Sequence, residues 1–345
     1  MHLPHQKFKK NYPFQKDLFI RVAQSIKLTQ LDSGAIPSNA DLSHDPWDHI
    51  EAIMGLNFLQ DKENSELAFK WLINNQNKDG SWYAKYSNNV PIELNKPTHF
   101  GPYISVAALH YYKIFSDKDK LLELWETVYS AINFSINLQN QNGTIPWSVD
   151  KNNQIENDFL LTGSSSILKS LECAIAISKI LDLDTNKKWT EAYKLLASAI
   201  QNPSDLFDKT TDRSRFSMDW YYPIISGALS NYEKDKYIKK IFKDFYIEGI
   251  GVKCVVEEPW VTVAETSEFI VSLVISNKLE EAKKILIEVM NVSDANDVPY
   301  MGWQYEENIF WPEEKPSWTA AALILAADSI YDFSKGSDIL KKNQL

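Results

Sequence analysis

A turn in which a glutamine precedes a glycine by four residues recurs along the first half of the chain: Gln30-Leu31-Asp32-Ser33-Gly34, Gln76-Asn77-Lys78-Asp79-Gly80 and Gln139-Asn140-Gln141-Asn142-Gly143. Each follows an amphipathic stretch, and the last two lead into Trp82 and Trp147 and then a more apolar stretch. Self-similarity at a period of about fifty residues marks a repeat architecture, in which each unit buries its apolar face against the next. By length alone, 345 residues could make two domains. Repeats spread over nearly all of the chain instead predict one closed unit over 15–334, with an N-terminal arm over 1–14 and a C-terminal tail over 335–345.

Apolar spacing predicts about twelve helices in six outer-inner pairs. Trp189, Ala192, Tyr193, Leu196 and Ile200 form one stripe, with Lys188, Glu191 and Lys194 facing away, the pattern of a half-solvated helix. Similar charged helices are predicted over roughly 16–29, 64–75, 118–138, 234–246 and 279–290. The stretches at roughly 46–59, 101–114, 161–180, 218–230, 264–277 and 316–332 are apolar nearly all round, as buried helices are. An inner ring inside an outer ring satisfies both compositions, so the expected fold is an all-α (α/α)6 toroid with strands minor or absent. Outer-to-inner connections are long and inner-to-outer ones short. If the inner helices run one way, their N-termini and the long loops gather at one mouth, the expected active-site cup.

The inner-helix starts carry acids and aromatics where apolar residues would be cheaper to bury. Asp219 and Glu265 stand on consecutive inner helices, with Asp48 across the ring. An unpaired buried carboxylate costs several kcal/mol or shifts its pKa, so these three are the candidate catalytic acids. Asp45, Trp47, His49, Trp82, Trp147, Trp220, Tyr221, Trp260, Glu268, Trp303 and Trp318 are the candidate substrate-binding residues, since flat faces with polar tips stack on a sugar ring or a polyprenyl chain. Competing structural roles stay open. Asp45 before Pro46 reads equally as an N-cap, Asp219 and Glu265 suit a helix first turn, and Trp82 and Trp147 could brace their glycine turns. Trp71, Trp125 and Trp189 read as packing between outer helices. The spacing of His44, Asp45, Asp48 and His49 matches no strong metal motif, so neither metal nor cofactor is expected.

A formal net charge of −10 weighs against nucleic acid or an anionic membrane as partner. The basic N-terminus lacks the apolar run of a signal peptide, and no twenty-residue apolar stretch occurs, so a cytoplasmic location is expected. Cys173 and Cys254 lie in separate apolar tracts and read as core thiols.

At Asp45-Pro46-Trp47-Asp48-His49-Ile50-Glu51, Asp79-Gly80-Ser81-Trp82, Ser217-Met218-Asp219-Trp220-Tyr221-Tyr222-Pro223, Pro259-Trp260-Val261-Thr262 with Ala264-Glu265-Thr266, and Trp318-Thr319-Ala320-Ala321-Ala322, the chain resembles bacterial proteins labelled prenyltransferase or terpenoid-cyclase-like. That resemblance implies the toroid shared by squalene-cyclase-like enzymes, protein prenyltransferases and six-hairpin glycosidases. It does not carry their chemistry over. Asp182-Leu183-Asp184-Thr185 lacks the last acid of the cyclase motif and falls in a short turn away from the mouth, neither cysteine sits in a zinc set, and no Asp-Asp-x-x-Asp occurs. The repeated glycine turn then reads as an element stitching outer to inner helices.

The reading that needs no missing motif is a carbohydrate-active enzyme, most simply an inverting glycoside hydrolase acting on an oligosaccharide or glycoconjugate through paired carboxylates. An isoprenoid cyclase or prenyltransferase requires an initiating acid or a diphosphate-binding metal. A non-catalytic glycan or glycolipid binder would use the same cup without turnover.

Overall fold

The computed structural model describes residues 14–38, 40–183 and 187–345; the expected N-terminal arm, save its last residue, and the Asp184-Thr185 part of the acidic turn lie outside them. Among the described residues the chain forms twelve α-helices. In chain order they are α1 (Lys16–Thr29), α2 (Pro46–Leu59), α3 (Lys62–Asn75), α4 (Ile104–Phe115), α5 (Lys118–Ile136), α6 (Leu161–Ile180), α7 (Lys187–Gln201), α8 (Met218–Ile225), α9 (Asn231–Asp244), α10 (Val263–Ile275), α11 (Leu279–Val289) and α12 (Ser317–Tyr331). Even-numbered helices pack each against the next, and α12 closes on α2, making an inner ring. Odd-numbered helices lie outside, and α7, α9 and α11 bury one stripe only. This is the (α/α)6 toroid.

The helix ends follow from local chemistry. Asp61 and Asp117 cap α3 and α5 by accepting from Asn64 N and Lys120 N, and Ser230 with Glu233 forms a full capping box on α9. Two inner helices depart from the expected spans. Residues 101–103 form a 3-10 turn before α4, with Pro102 inside it, and α8 stops at Ile225, just after Pro223, instead of running to 230.

The recurrent turns share one geometry. Gln30, Gln76 and Gln139 each donate through Nε2 to the glycine carbonyl four residues on, at 3.1 Å, and to a carbonyl of the next outer helix, Asn64, Thr127 and Ala192, at 3.0 Å. They therefore stitch outer helix to outer helix, not outer to inner. Glycine is required because φ is about +90° there and a Cβ on Gly80 would stand 2.2 Å from Ser130 O.

Short strands occupy the long connections: β1 (Ser43–His44), β2 (Lys85–Ser87), β3 (Val90–Glu93), β4 (Lys96–Pro97), β5 (Ser148–Val149), β6 (Tyr246–Ile247), β7 (Gly251–Val252), β8 (Trp260–Thr262), β9 (Gly302–Gln304) and β10 (Ile309–Phe310). They pair antiparallel as β1-β2-β3, β4-β5, β6-β7 and β8-β9-β10. Most lead toward an inner-helix N-terminus, so the small sheets form the rim of the mouth. Beyond α12 the chain is not a free tail: Ile339 and Leu340 join the core, and Lys169 Nζ donates to Lys342 O at 2.7 Å at the closed end of the ring. No helix among the described residues is long and apolar enough to cross a membrane.

Candidate active site

The inner-helix N-termini open into a cavity of about 360 Å³. Three elements bring acids to it at helical spacing. From α2 come Asp48 and, one turn deeper, Glu51; from α10 come Glu265 and, one turn deeper, Glu268; from α8 comes Asp219. Asp45 completes the set as N-cap of α2, its Oδ1 accepting from Asp48 N at 2.8 Å, so capping and cavity lining coincide in one residue.

The deeper acids are clamped by tyrosines. Tyr103 donates to Glu51 Oε2 at 2.6 Å. Tyr221 donates to Glu268 Oε2 at 2.6 Å, and Tyr222 donates to its Oε1. Burial pushes Glu51 up to about 7, against the pull of the Tyr103 hydroxyl. Burial, then the nearby Glu51, push Glu268 up to about 8. Nearer the mouth, burial and the charge of Asp208 raise Asp219 to about 7, although Thr162 donates to its Oδ1 at 2.6 Å. Burial lifts Asp45 to about 6, and burial with Asp45 alongside holds Asp48 well above the usual carboxylate range. Glu265 differs: its Oε2 is buried and has no hydrogen-bond partner. An acceptor left so costs about 1–3 kcal/mol, the sort of local expense that proteins retain at functional sites.

The walls are aromatic. Trp47 stands edge-on to His99 at 5.0 Å and to Tyr222 of the opposite helix at 5.6 Å, and Phe100, Phe216 and Trp318 also line the cavity. Arg213 reaches the rim, paired with Asp158 at 2.7 Å and Asp208 at 3.4 Å. Burial holds His99 neutral, its pKa lowered to about 3, and its Nδ1 has no partner.

Of the residues singled out from sequence, Asp45, Trp47, Asp48, Asp219, Glu265, Glu268 and Trp318 share this cavity. Others are placed elsewhere. His49 is fully buried, accepting at Nδ1 from Ile36 N and donating from Nε2 to Ala68 O, both at 3.1 Å, so neither nitrogen is available to substrate. Trp82 donates to Leu72 O at 3.0 Å and lies under Gly101, where a Cβ would sit 2.9 Å from the indole; it braces its turn. Tyr221 is buried and acts through Glu268, and Trp303 is buried against Phe310. Trp220 donates to Ser214 O and packs on Tyr237, outside the cavity lining. Trp260 faces a separate groove beside Trp311. Trp147 lines a second groove that meets the cup. Cys173 is buried as expected, whereas Cys254 is only half-buried.

Glu51, His99, Phe100, Thr162, Arg213, Phe216 and Tyr222 line the cavity without having been singled out. For Glu51 a signal existed: it follows Asp48 at the same three-residue spacing by which Glu268 follows Glu265. Arg213 sits in an irregular loop, where periodicity says nothing.

No protein-family model matches the sequence. Over 321 residues, 93% of this chain and 88% of the relative, the sequence is 32% identical to MMP endo-(1,4)-3-O-methyl-alpha-D-mannosidase of Mycolicibacterium hassiacum. Solved structures of similar fold include a wild-type glycosidase (TM-score 0.72, 10% identity, 91% of this chain and 96% of that one). A D-mannose isomerase superposes at TM-score 0.73 with 11% identity over 93% and 100% of the two chains. The GH63 mannosylglycerate hydrolase of Thermus thermophilus, in complex with glucose, does so at 0.67 with 10% identity over 89% and 99%. At such identities these structures speak for the fold alone; the prenyltransferase and terpenoid-cyclase resemblance read from sequence is not shown by these comparisons.

Proposed function

The chain belongs to the family of the MMP endo-(1,4)-3-O-methyl-alpha-D-mannosidase, a glycoside-hydrolase-like carbohydrate enzyme, and on that premise we propose that it hydrolyses an internal α-(1→4)-mannosidic bond of an oligosaccharide with inversion of the anomeric centre. Glu265 carries the reading. Its carboxyl belongs to the lining of a cavity walled by Trp47, Phe100 and Trp318, with Oε2 buried and unpartnered, and in this reading it takes a proton from an attacking water. Asp219, held up to about 7, is protonated in about half of the molecules at neutral pH and can deliver that proton to the leaving oxygen, the division of labour that two acids in different surroundings support. Inversion calls for a carboxyl separation of about 6.5–9.5 Å, which leaves room for the water. Phe100, Phe216 and Met218 supply apolar contact for sugar faces or O-methyl groups.

A second assignment of the acid rests on a separate observation. Asp45 and Asp48 sit one turn apart, and each is raised by burial, so this pair also retains a proton near neutrality. Turnover of aryl α-mannosides decides between them. The variant that removes the true acid keeps turnover of a substrate with a good leaving group and loses that of an unactivated oligosaccharide. Asp219→Asn is expected to behave so; if Asp48→Asn does and Asp219→Asn does not, the acid is on α2. Unchanged oligosaccharide turnover in Glu265→Gln would exclude Glu265 as base.

A further inference from the structure

A second groove adjoins the cup on its α2 side. It measures about 300 Å³, shares Asp45, Asp48 and Phe100 with the cup and continues outward past Lys85, Asn95 and Trp147. Two rim sheets supply these outer residues. Lys85 is on β2, which pairs with β1, the strand that runs directly into Asp45 and α2. Trp147 precedes β5, and its carbonyl accepts from Thr98 N at 2.9 Å beside the β4-β5 pair. The β2-β3 hairpin is anchored at its tip, where Asn89 Oδ1 accepts from Trp71 Nε1 at 2.8 Å and from Ser33 Oγ at 2.9 Å. The groove is therefore a fixed wall of the site.

Resting on the mannosidase reading above, the geometry points to this groove as the binding site for the sugar units on the far side of the scissile bond from the cup, with Asp45 and Asp48 at the junction. An enzyme that cuts inside a chain must hold residues on both sides of the bond. The two chambers share three lining residues, so they adjoin where the proposal places the sugar chain. Trp147, half-buried in the groove lining, suits stacking on a sugar ring, while the Asn95 amide and Lys85 ammonium suit its hydroxyls. Neutral oligosaccharide is the occupant that aromatic face and mixed polar groups fit together.

The test uses α-(1→4)-linked mannose oligosaccharides of two to six units with the full-length protein. In the wild type, kcat/KM is expected to rise by about tenfold or more from disaccharide to tetrasaccharide. Trp147→Ala and, independently, Asn95→Ala are expected to lower that ratio, with melting temperature confirming that each variant is folded. A ratio that stays at the wild-type value in both folded variants overturns the inference. Should the wild type cleave no member of the series, it is the mannosidase reading that fails, and direct binding of the same oligosaccharides judges the groove. Affinity that grows with length in the wild type and not in Trp147→Ala supports it, and affinity independent of length, or no binding, overturns it.

Discussion

Buried acids stand at both ends of the inner ring, and their surroundings differ. At the closed end Glu172 of α6 accepts from Lys169 Nζ at 2.7 Å, from the backbone N–H of Gln344 at 2.9 Å and from the Tyr193 hydroxyl at 3.4 Å. Asp328 of α12 accepts from Ser334 N and Oγ at 2.8 and 2.5 Å. At the open end, among the described residues, no cup acid has an ion pair; Arg213, the cation at the rim, is taken up by Asp158 and Asp208. Tyrosine and threonine hydroxyls are what Glu51, Glu268 and Asp219 receive, and Glu265 Oε2 receives nothing. An acid outside the cup held by backbone N–H groups, with a cation for Glu172 and a serine hydroxyl for Asp328, is part of the scaffold. One buried with hydroxyls alone keeps its proton near neutral pH and can exchange it.

The contrast breaks most sharply on substitution. Glu265→Gln is expected to lower kcat on an oligosaccharide by about 10²–10⁴, the range for losing a positioned acid or base, while leaving the melting temperature little changed. If kcat holds and stability falls, the two ends are alike. Lys169→Ala, by leaving Glu172 buried without its cation, is expected to cost about 3–5 kcal/mol of unfolding free energy, read by denaturant titration, with turnover per folded molecule retained. Equal stability would mean that the closed-end pair holds nothing together.

Asp219 sharpens the comparison through pH. Its folded pKa, about 7, lies above its ordinary 3.8, so the folded state binds a proton that the unfolded chain releases. Stability from this group is fully present below about pH 4 and is lost as pH rises toward 7, by about 1.4 kcal/mol for each pH step between the unfolded and folded values. Asp219→Asn should therefore be more stable than wild type at pH 8, with the gap closing toward pH 4; a gap independent of pH would contradict the assignment. The smallest effect belongs to Ser334→Ala, which removes one hydroxyl from Asp328 and is expected to cost about 1 kcal/mol.

Much of this was legible in the residues because helical periodicity reports burial. The inner helices have no polar face, so acids near their starts stood out, and Asp48, Asp219, Glu265 and Glu268 were found at the cup for that reason, whereas Glu51, Glu172 and Asp328, further along the same helices, were not picked out. Tryptophans misled more often. An indole is both a core side chain and a sugar platform, and composition cannot say which, so Trp82 and Trp303 were placed with the binding wall when they brace the fold. His49 misled likewise, its neighbours in sequence being cup residues while its ring points into backbone N–H and carbonyl groups of the scaffold. The loop residues Arg213 and Thr162 and the partition between cup and groove depend on how long connections fold over the rim, which no periodic signal encodes.

The most direct measurement is the anomeric configuration of the first product, followed by proton NMR from the start of hydrolysis of an α-(1→4)-mannooligosaccharide, before mutarotation. A β-configured reducing end appearing first is the outcome expected if Glu265 directs a water to the face opposite the leaving group. An α-configured product appearing first would contradict that role and require a covalent intermediate on one of the cup acids.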